Sequence, residues 1–272
     1  MDETKTEALL RRLRPPFVAT DDHEEILNLV PELRLSRGVE QSPYHHLDTL
    51  GHVFEVVERT GNELSERVVG AEIPDGERRD ALLLAALLHD VAKPVTRGEI
   101  RGRVVFVAHD TVGAILARSV CLQLGVSALQ ADAIITLTAL HLKIGFMRHE
   151  RTDYPPERLI EAAGPFAEEL AVLSWADRMA AQGPKLTEEH IRNHRDLCRD
   201  FLEASRASGP HPDPDYEAVR KAVQGSAQEN AFKGDLPEAE VGYLAGKARL
   251  VAARGIPTEE ALSLVAESSR QG

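Results

Sequence analysis

Residues 80–94, DALLLAALLHDVAKP, form the most apolar helix that the sequence predicts. Positions 81–88 are all apolar, so this helix is hydrophobic on every side and has to be buried. Asp80 is a suitable N-cap for it, and Pro94 closes it because proline cannot continue a helix. The stretch therefore predicts a helix at the centre of a hydrophobic core.

Most of the remaining chain also has the composition of helices, with few aromatic residues (4%) and many Ala, Leu, Glu and Arg residues. The strand candidate lies in residues 95–108, where RGRVVFV forms half of a small hairpin. We expect an all-α fold with an N-terminal extension at 1–20, a helical domain at 21–207 and a small helical appendix at 208–272. The helices are predicted at 26–29, 46–61, 80–93, 110–124, 128–143, 155–182 with a break at 164–165, 187–206, 216–224, 236–253 and 257–268.

Charge and length limit the classes of function. The chain has 272 residues, with 32 Lys and Arg against 44 Asp and Glu, and a net charge of −12. This surplus of negative charge disfavours broad binding to nucleic acid or to an anionic membrane, since both kinds of binding need a surplus of positive charge. We find no apolar core of signal-peptide type and no run long enough to span a bilayer, so we expect a cytoplasmic protein without membrane contact. Cys121 and Cys198 lie far apart and resemble neither a disulfide framework nor a thiolate metal site.

Polar side chains occur at several positions where the helices predict a buried surface. Asp177 follows Leu173 at helical spacing, and His141 follows Leu137 in the same way. One such histidine is usually a core residue that a hydrogen bond satisfies, and one His-Asp pair is usually a helix end. Together they predict a metal centre, because buried imidazole and carboxylate groups need a counterpart. The candidate ligands are His52, His89, Asp90, His109, His141 and Asp177.

The ligand types limit the choice of metal. Nitrogen and oxygen ligands without thiolate suit a divalent ion, which leaves Mg²⁺, Mn²⁺, Fe²⁺, Co²⁺, Ni²⁺ and Zn²⁺ open. Four of the candidates already supply a complete ligand set, so one or two ions per chain are expected.

The order of His52, then His89 with Asp90, then Asp177 resembles the HD-domain superfamily of metal-dependent phosphohydrolases. Residues 29–262 resemble, within it, the HD region and tail of bacterial CCA-adding tRNA nucleotidyltransferases. The motifs that carry this resemblance are PYHHLDTLGHVFEVVER (43–59), LLAALLHDVAKP (83–94), VFVAHDTVGAILA (105–117), LTALHLKIGF (137–146), LSWADRMAAQGP (173–184) and EVGYLAGKARLVAARGIPTEEAL (240–262).

Two departures from that family bear on function. Its nucleotide-adding head would precede the HD region, and the residues that stand there contain neither the glycine-containing turn nor the paired carboxylates of the head. We therefore expect no CCA addition. The segment QGSAQENAFKGDLPEAEVG (224–242) keeps only a diluted form of the family's glycine-rich signature, so we do not expect strong tRNA binding.

The resemblance also implies roles for individual residues. Lys93 matches a lysine that faces the substrate phosphate, and Arg97 and Arg178 are weaker candidates for phosphate contacts. Asp48 would orient a histidine ligand or touch the substrate, and His45 would belong to a solvated loop. The primary metal ligands match His52, His89, Asp90 and Asp177, and the histidines that bind a second ion in some members match His109 and His141.

These features predict hydrolysis of a phosphomonoester or phosphodiester, with a small substrate of nucleotide type. A bound ion lowers the pKa of coordinated water towards about 7 and polarises a phosphoryl oxygen. Lys93 would offset charge on the phosphate, and Asp90 would bridge two ions or take a proton from the water. Two alternatives stay open: an HD-fold di-iron oxygenase of a small molecule, against which Lys93 argues, and a non-catalytic metal-binding or RNA-associated helical module. The sequence leaves the oligomeric state open.

Overall fold

The structure, a computed structural model, describes residues 3–225 and 236–268. Its α-helices are α1 Lys5–Leu13, α2 Glu24–Leu29, α3 Thr49–Glu66, α4 Glu77–Leu88, α5 Lys93–Thr96, α6 His109–Leu124, α7 Ala128–Leu140, α8 Lys143–Phe146, α9 Pro156–Ala163, α10 Ala167–Ala181, α11 Glu188–Ala207, α12 Tyr216–Gly225, α13 Glu238–Ala252 and α14 Thr258–Ser268. Short 3-10 helices cover Pro31–Ser36 and Gly164–Phe166. The described strands form one hairpin, so the prediction of an all-α fold is confirmed.

The predicted central helix is present as α4, and it is buried along its whole apolar run. Residues 81–88 are each at most 2% exposed, and α4 packs against both α3 and α7. The helix begins earlier than expected, at Glu77, and its N-cap is Gly76 rather than Asp80. Asp80 lies inside the first turn, where its carboxylate pairs with Arg14 at 2.8 Å. The prediction that Asp80 is the N-cap was wrong, because the helix dipole also favours acidic residues within the first turn.

The start of α3 also differs from the prediction. The helix begins at Thr49 and not at His46, because Asp48 is its N-cap. One oxygen of Asp48 accepts from the Gly51 amide at 2.8 Å, and the other accepts from the Gly38 amide at 2.6 Å. The cap therefore fixes the loop before α3 as well as the first turn of the helix.

The hairpin and the helix break lie where the sequence predicts them. Strands β1, Arg97–Ile100, and β2, Arg103–Phe106, pair antiparallel. Arg101 and Gly102 form the turn with φ of +52° and +71°, as two-residue hairpin turns require. The break predicted at 164–165 is present, since α9 ends before the 3-10 helix and α10 follows it.

Both ends of the described chain pack against the bundle. Leu9, Leu10 and Leu13 of α1 are buried, and α1 contacts α4. Helix α13 packs closely along α7, where a Cβ at Gly242 would lie 2.0 Å from the Ala128 carbonyl oxygen. The division into domains at residues 20 and 207 stays a prediction.

Part of the segment that we compared with the glycine-rich signature, residues 226–235, lies outside the described residues. Among the helices that the structure does describe, none combines the length and the hydropathy that a membrane crossing requires.

Candidate metal centre

Asp90 lies at the end of the central helix, with imidazole groups on both sides of its carboxylate. Its Oδ2 is 3.1 Å from His89 Nε2 and 3.5 Å from His52 Nε2. Its Oδ1 is 3.5 Å from His109 Nε2 and 3.8 Å from His141 Nε2. Asp90 is 1% exposed, so this carboxylate is enclosed by the chain. Its two oxygens face two different groups of histidines.

Three of these imidazoles are held in the same way. Each has Nδ1 close to the backbone carbonyl three residues earlier, at 2.8 Å for His89 and His109 and 2.7 Å for His141. A carbonyl oxygen can only accept, so each Nδ1 carries the proton and donates it. Each Nε2 points towards Asp90, and it has a free lone pair there when the ring is neutral. A backbone partner of this kind fixes the tautomer and ring orientation that metal ligands need.

The local sequence explains why these rings reach one point. His89 and His141 directly follow the apolar helices α4 and α7, so each ring enters the core at a helix end. His109 begins α6, directly after Ala108, whose φ of +57° turns the chain into the helix. Asp177 lies on the buried side of α10, where it accepts from His52 Nε2 at 3.0 Å. Helices α3, α6, α7 and α10 thus each supply a candidate ligand to the end of α4.

The structure brings together all six side chains that we took as candidate ligands. Their ligand atoms form three overlapping groups within 4.8 Å, namely His45 with His52 and Asp177, His52 with His89 and Asp90, and Asp90 with His109 and His141. His45 is an addition, because we expected it in a solvated loop. It lies against the His52 ring, with 4.8 Å between ring centroids, and burial lowers its pKa to about 3.

The electrostatics keep most of these groups ready to bind a cation. Burial alone would raise the pKa of Asp90, but the charges of His89 and Lys93 outweigh it and hold the pKa well below 3.8. Burial likewise opposes ionisation of Asp177, whose pKa is nevertheless held low by its bond to His52. Burial lowers the pKa of His141 to about 4, so its imidazole is neutral at pH 7.

Several buried polar atoms at this point lack a hydrogen bond. They are His52 Nδ1, His89 Nε2, His109 Nε2 and both oxygens of Asp90. The Asp90 oxygens lie close to charged and polar neighbours, but at angles that form no hydrogen bond. Buried groups left in this way cost free energy, about 1–3 kcal/mol each. A divalent cation at this point would use the Asp90 oxygens and the histidine Nε2 atoms that face them, so the residues present fit a divalent metal ion.

Comparison with known proteins agrees with this geometry. The family described as HD domain matches residues 45–182, about half of the chain. The chain belongs to the HD domain family. This family is part of a superfamily of metal-dependent phosphohydrolases. Its matched region contains every residue of the cluster around Asp90.

The HD-domain chain is also similar to an A-adding tRNA nucleotidyltransferase of Deinococcus radiodurans. The two are 32% identical over 163 residues, which is 58% of this chain and 34% of the relative. The chain thus spans about a third of the length of that relative. The resemblance that the sequence motifs indicated is confirmed.

A cavity of about 200 Å³ opens beside Asp90 and Asp177 in this HD domain. Lys93 lines it, with Nζ 2.6 Å from Asp90 Oδ2 and donating to Gln41 Oε1 at 2.6 Å. Arg178 lines it as well and forms no ion pair with any described residue. Arg97, the third predicted phosphate contact, is exposed on β1 and is not part of the lining. The structure thus brings two of the three predicted cations to the site.

One of the two roles that we expected of Asp48, the orientation of a histidine ligand, is not present. Both of its oxygens accept from backbone amides, and His52 Nδ1 has no hydrogen-bond partner among the described residues. The prediction that Asp48 orients His52 was wrong, because capping α3 occupies its carboxylate.

Sequence reasoning also missed Gln41, Tyr44 and His194. Gln41 binds the Lys93 ammonium, and the other two line the cavity. His45 and Tyr44 are close to Asp177 because the loop that carries them is fixed to the end of α10. The Gly183 amide donates to the Tyr44 carbonyl at 2.7 Å, and a Cβ at Gly183 would lie 2.3 Å from the Tyr44 carbonyl carbon. The glycine in the motif LSWADRMAAQGP was the one available signal.

Proposed function

We propose that the protein is a metal-dependent hydrolase of a small phosphate ester of nucleotide type. The observation that supports this most is the placement of opposite charges on one cavity. Asp90 and Asp177 form its metal-facing wall, and Lys93 and Arg178 are cations on the same cavity. A cavity with both features suits a phosphate group that is held at a metal centre.

The residues of this chain have distinct roles in the proposal. A bound divalent ion supplies an acidified water and polarises a phosphoryl oxygen. Lys93 holds its ammonium beside Asp90 and is placed to contact a phosphate oxygen in the cavity. Arg178 carries a buried Nε without a hydrogen bond, so a phosphate oxygen would satisfy it. Asp177 orients His52 through the 3.0 Å bond to Nε2 before an ion is bound, and both side chains would then help to hold the ion.

We propose two ions per chain, with Asp90 between them. His52 and His89 lie beside one oxygen of Asp90, and His109 and His141 lie beside the other. With histidines beside each of its oxygens, Asp90 would help to hold both ions, and two ions would supply charge to the attacking and the leaving oxygen of a phosphate ester. The identity of the ions is open to any divalent metal that accepts nitrogen and oxygen ligands.

We propose a small substrate rather than a tRNA, although the relative that we compared is an A-adding tRNA nucleotidyltransferase. The net charge of −12 opposes attraction of a polyanion, and the two cations of the site lie in a cavity of only about 200 Å³. Binding of full-length tRNA at physiological salt should therefore be weak. A sub-micromolar affinity with a steep salt dependence would contradict this.

Metal analysis joined to an ester screen tests the proposal. Protein purified without chelator should contain up to two divalent ions per chain and hydrolyse phosphate esters. Asp90→Asn should lose the ions and the activity and stay folded. Glu63→Gln is the matched control, because Glu63 of α3 is another buried carboxylate. It accepts from the Val69 amide, which lies beyond the end of that helix. Full activity of Asp90→Asn would refute the metal centre.

The same measurement separates the alternatives and counts the ions. His109→Ala and His141→Ala should each leave about one ion per chain and strongly reduce turnover. If both keep the full metal content and lose only affinity for the ester, these histidines contact phosphate and the site holds one ion. A mixed-valent di-iron signal with no ester hydrolysis would indicate an oxygenase, and metal-free, inactive protein would indicate a non-catalytic module.

A further inference from the structure

The cavity beside the metal centre continues into a second space along the start of α11. This groove has a volume of about 500 Å³, and it shares Tyr44, Phe146, Arg178 and His194 with the cavity. Asn193 of α11 completes its far side. The volume lies within the range of about 300–1,000 Å³ that is common for small-molecule sites. A ligand with its phosphate at the metal centre therefore has room for a larger group here.

His194 offers a hydrogen-bond acceptor to this groove. It is buried, and its Nε2 lies 3.0 Å from the Ser174 carbonyl oxygen. Because a carbonyl only accepts, Nε2 carries the proton and Nδ1 is left with a lone pair. Burial lowers the pKa of His194 to about 4, so the ring stays neutral at pH 7 and keeps this acceptor.

Gly145 packs against the edge of the His194 ring that carries Nδ1. A Cβ at Gly145 would make ordinary contacts there, 3.6 Å from Nδ1 and 3.5 Å from Cε1, so a larger side chain would cover this edge. No described residue forms a hydrogen bond to Nδ1. An acceptor without a partner, on a residue that lines a ligand space, is suited to a hydroxyl group of the ligand.

Two exposed aromatic rings line the groove. Tyr44 is 41% exposed and Phe146 is 55% exposed, although both are large apolar groups. The Tyr44 backbone is held by the bond from Gly183, so this ring has a fixed base. Exposed aromatic faces beside a phosphate-binding cation are typical of sites that stack a nucleobase.

Arg178 is placed to contact the phosphate of such a ligand. It lines both spaces and has no ion pair with a described residue, so a phosphate beside it would lie next to both the metal centre and the groove. His194 and the two aromatic rings also line both spaces. A cation, a hydroxyl acceptor and flat ring faces on one groove match the phosphate, the sugar and the base of a nucleoside monophosphate.

We propose that the groove binds the nucleoside part of a ribonucleotide, with the base against Tyr44 and Phe146 and a ribose hydroxyl donating to His194 Nδ1. The inference rests on the proposed function only for the position of the phosphate. It adds a substrate class, ribonucleoside monophosphate esters, and a means of rejecting deoxyribose.

Binding of four probes to the full chain, by calorimetry with metal present, tests this inference. The probes are adenosine monophosphate, its 2′-deoxy and 3′-deoxy forms, and ribose 5-phosphate. Adenosine monophosphate should bind about 10- to 100-fold more tightly than ribose 5-phosphate, which has no base to stack. One of the two deoxy forms should bind about 5- to 10-fold more weakly, as loss of one hydrogen bond implies.

Variants test which residues contact the base and which contact the ribose. Phe146→Ala and Tyr44→Ala alter exposed rings, and each should weaken adenosine monophosphate about 10-fold and leave ribose 5-phosphate unchanged. Val107→Ala is the matched control, because Val107 is also an exposed apolar residue and does not line the groove. His194→Phe keeps the ring and removes the acceptor, so it should bind the ribose and deoxyribose forms equally. If His194→Phe fails to fold, binding of the two deoxy probes to the wild-type chain still tests whether a ribose hydroxyl is bound.

Failure of this inference is distinct from failure of the proposed function. Suppose that bis-(p-nitrophenyl) phosphate is hydrolysed with metal, but adenosine monophosphate binds no better than ribose 5-phosphate. The groove assignment is then wrong and the hydrolase stands. Suppose instead that no ester is hydrolysed, but adenosine monophosphate binds and Phe146→Ala weakens it. The groove assignment is then supported and the hydrolase proposal is wrong.

Discussion

Replacing Lys93 by methionine tests how the buried carboxylate of Asp90 is balanced. The Lys93 Nζ lies 2.6 Å from Asp90 Oδ2, and the lysine side chain is 7% exposed. Methionine keeps most of the length and the apolar stem of the side chain and removes its charge. In metal-free protein, Asp90 then has to stay charged without its nearest cation or become protonated.

The size of the effect follows from the pKa of Asp90. Burial opposes ionisation, but His89 and Lys93 hold this pKa well below 3.8. Keeping a carboxyl with an ordinary pKa of 3.8 protonated at pH 7 costs about 4 kcal/mol, at about 1.4 kcal/mol per unit. Removing one partner of a buried charge pair costs about 3–5 kcal/mol, which agrees. Metal-free Lys93→Met should lose this much stability, or about 6–20 °C in Tm.

Thermal and urea unfolding, with chelator and with saturating Mn²⁺, measure the effect. A divalent ion supplies the charge that Lys93→Met lacks, so saturation should recover most of the lost stability. Arg148→Met is the control, because Arg148 pairs with Asp200 at 2.9 Å on the surface, away from the cavity. The loss of stability in this variant should be at most about 1 kcal/mol and independent of metal. An undiminished loss in metal-loaded Lys93→Met, or no loss in the metal-free form, would refute the reasoning.

Three further changes have defined outcomes. The pKa of His194 is about 4 in the folded chain against an ordinary 6.5, so the unfolded chain takes up its proton first as pH falls. Stability should therefore drop by about 3 kcal/mol between pH 6.5 and pH 4, and His194→Gln should remove this share in urea titrations at several pH values. Gly183→Ala should displace the Tyr44 loop and cost about 1–3 kcal/mol by overpacking, with raised KM for esters; unchanged Tm and KM would contradict it. Arg249→Met should cost about 3–5 kcal/mol in urea unfolding by leaving Asp132 buried and unpaired, and a double variant with Asp132→Leu should be less destabilised than Arg249→Met alone.

The central helix and the six candidate ligands at its end were predictable for one physical reason. An apolar helix such as α4 has to be buried, and a polar group at its end, such as Asp90, then needs partners in the core. Imidazoles at the ends or on the apolar faces of other helices meet this need, together with the ammonium of Lys93. The sequence pattern therefore indicates both the fold and the composition of the centre.

The remaining features depend on contacts between distant residues. The position of His45 follows from the approach of its loop to Gly183, which no local pattern reveals. Arg97 is close to Lys93 in the sequence, but the hairpin carries it away from the cavity. Asp48 was misread because an N-cap and a partner for His52 require the same residue type at the same place. Local patterns show what a residue is able to do, and tertiary contacts select among these roles.

The acidic chain and its phosphate site are consistent once charge is considered locally. The net charge of −12 is a property of the whole surface, whereas the cavity contains two carboxylates and two cations. These four charges balance, so a divalent ion at Asp90 would add its full charge to the cavity and would attract a phosphate dianion. The acidic surface would repel large polyanions, and an enclosed site with its metal would attract a small one. This separation of the two fields is the physical basis on which we propose small phosphate esters rather than nucleic acid as substrates.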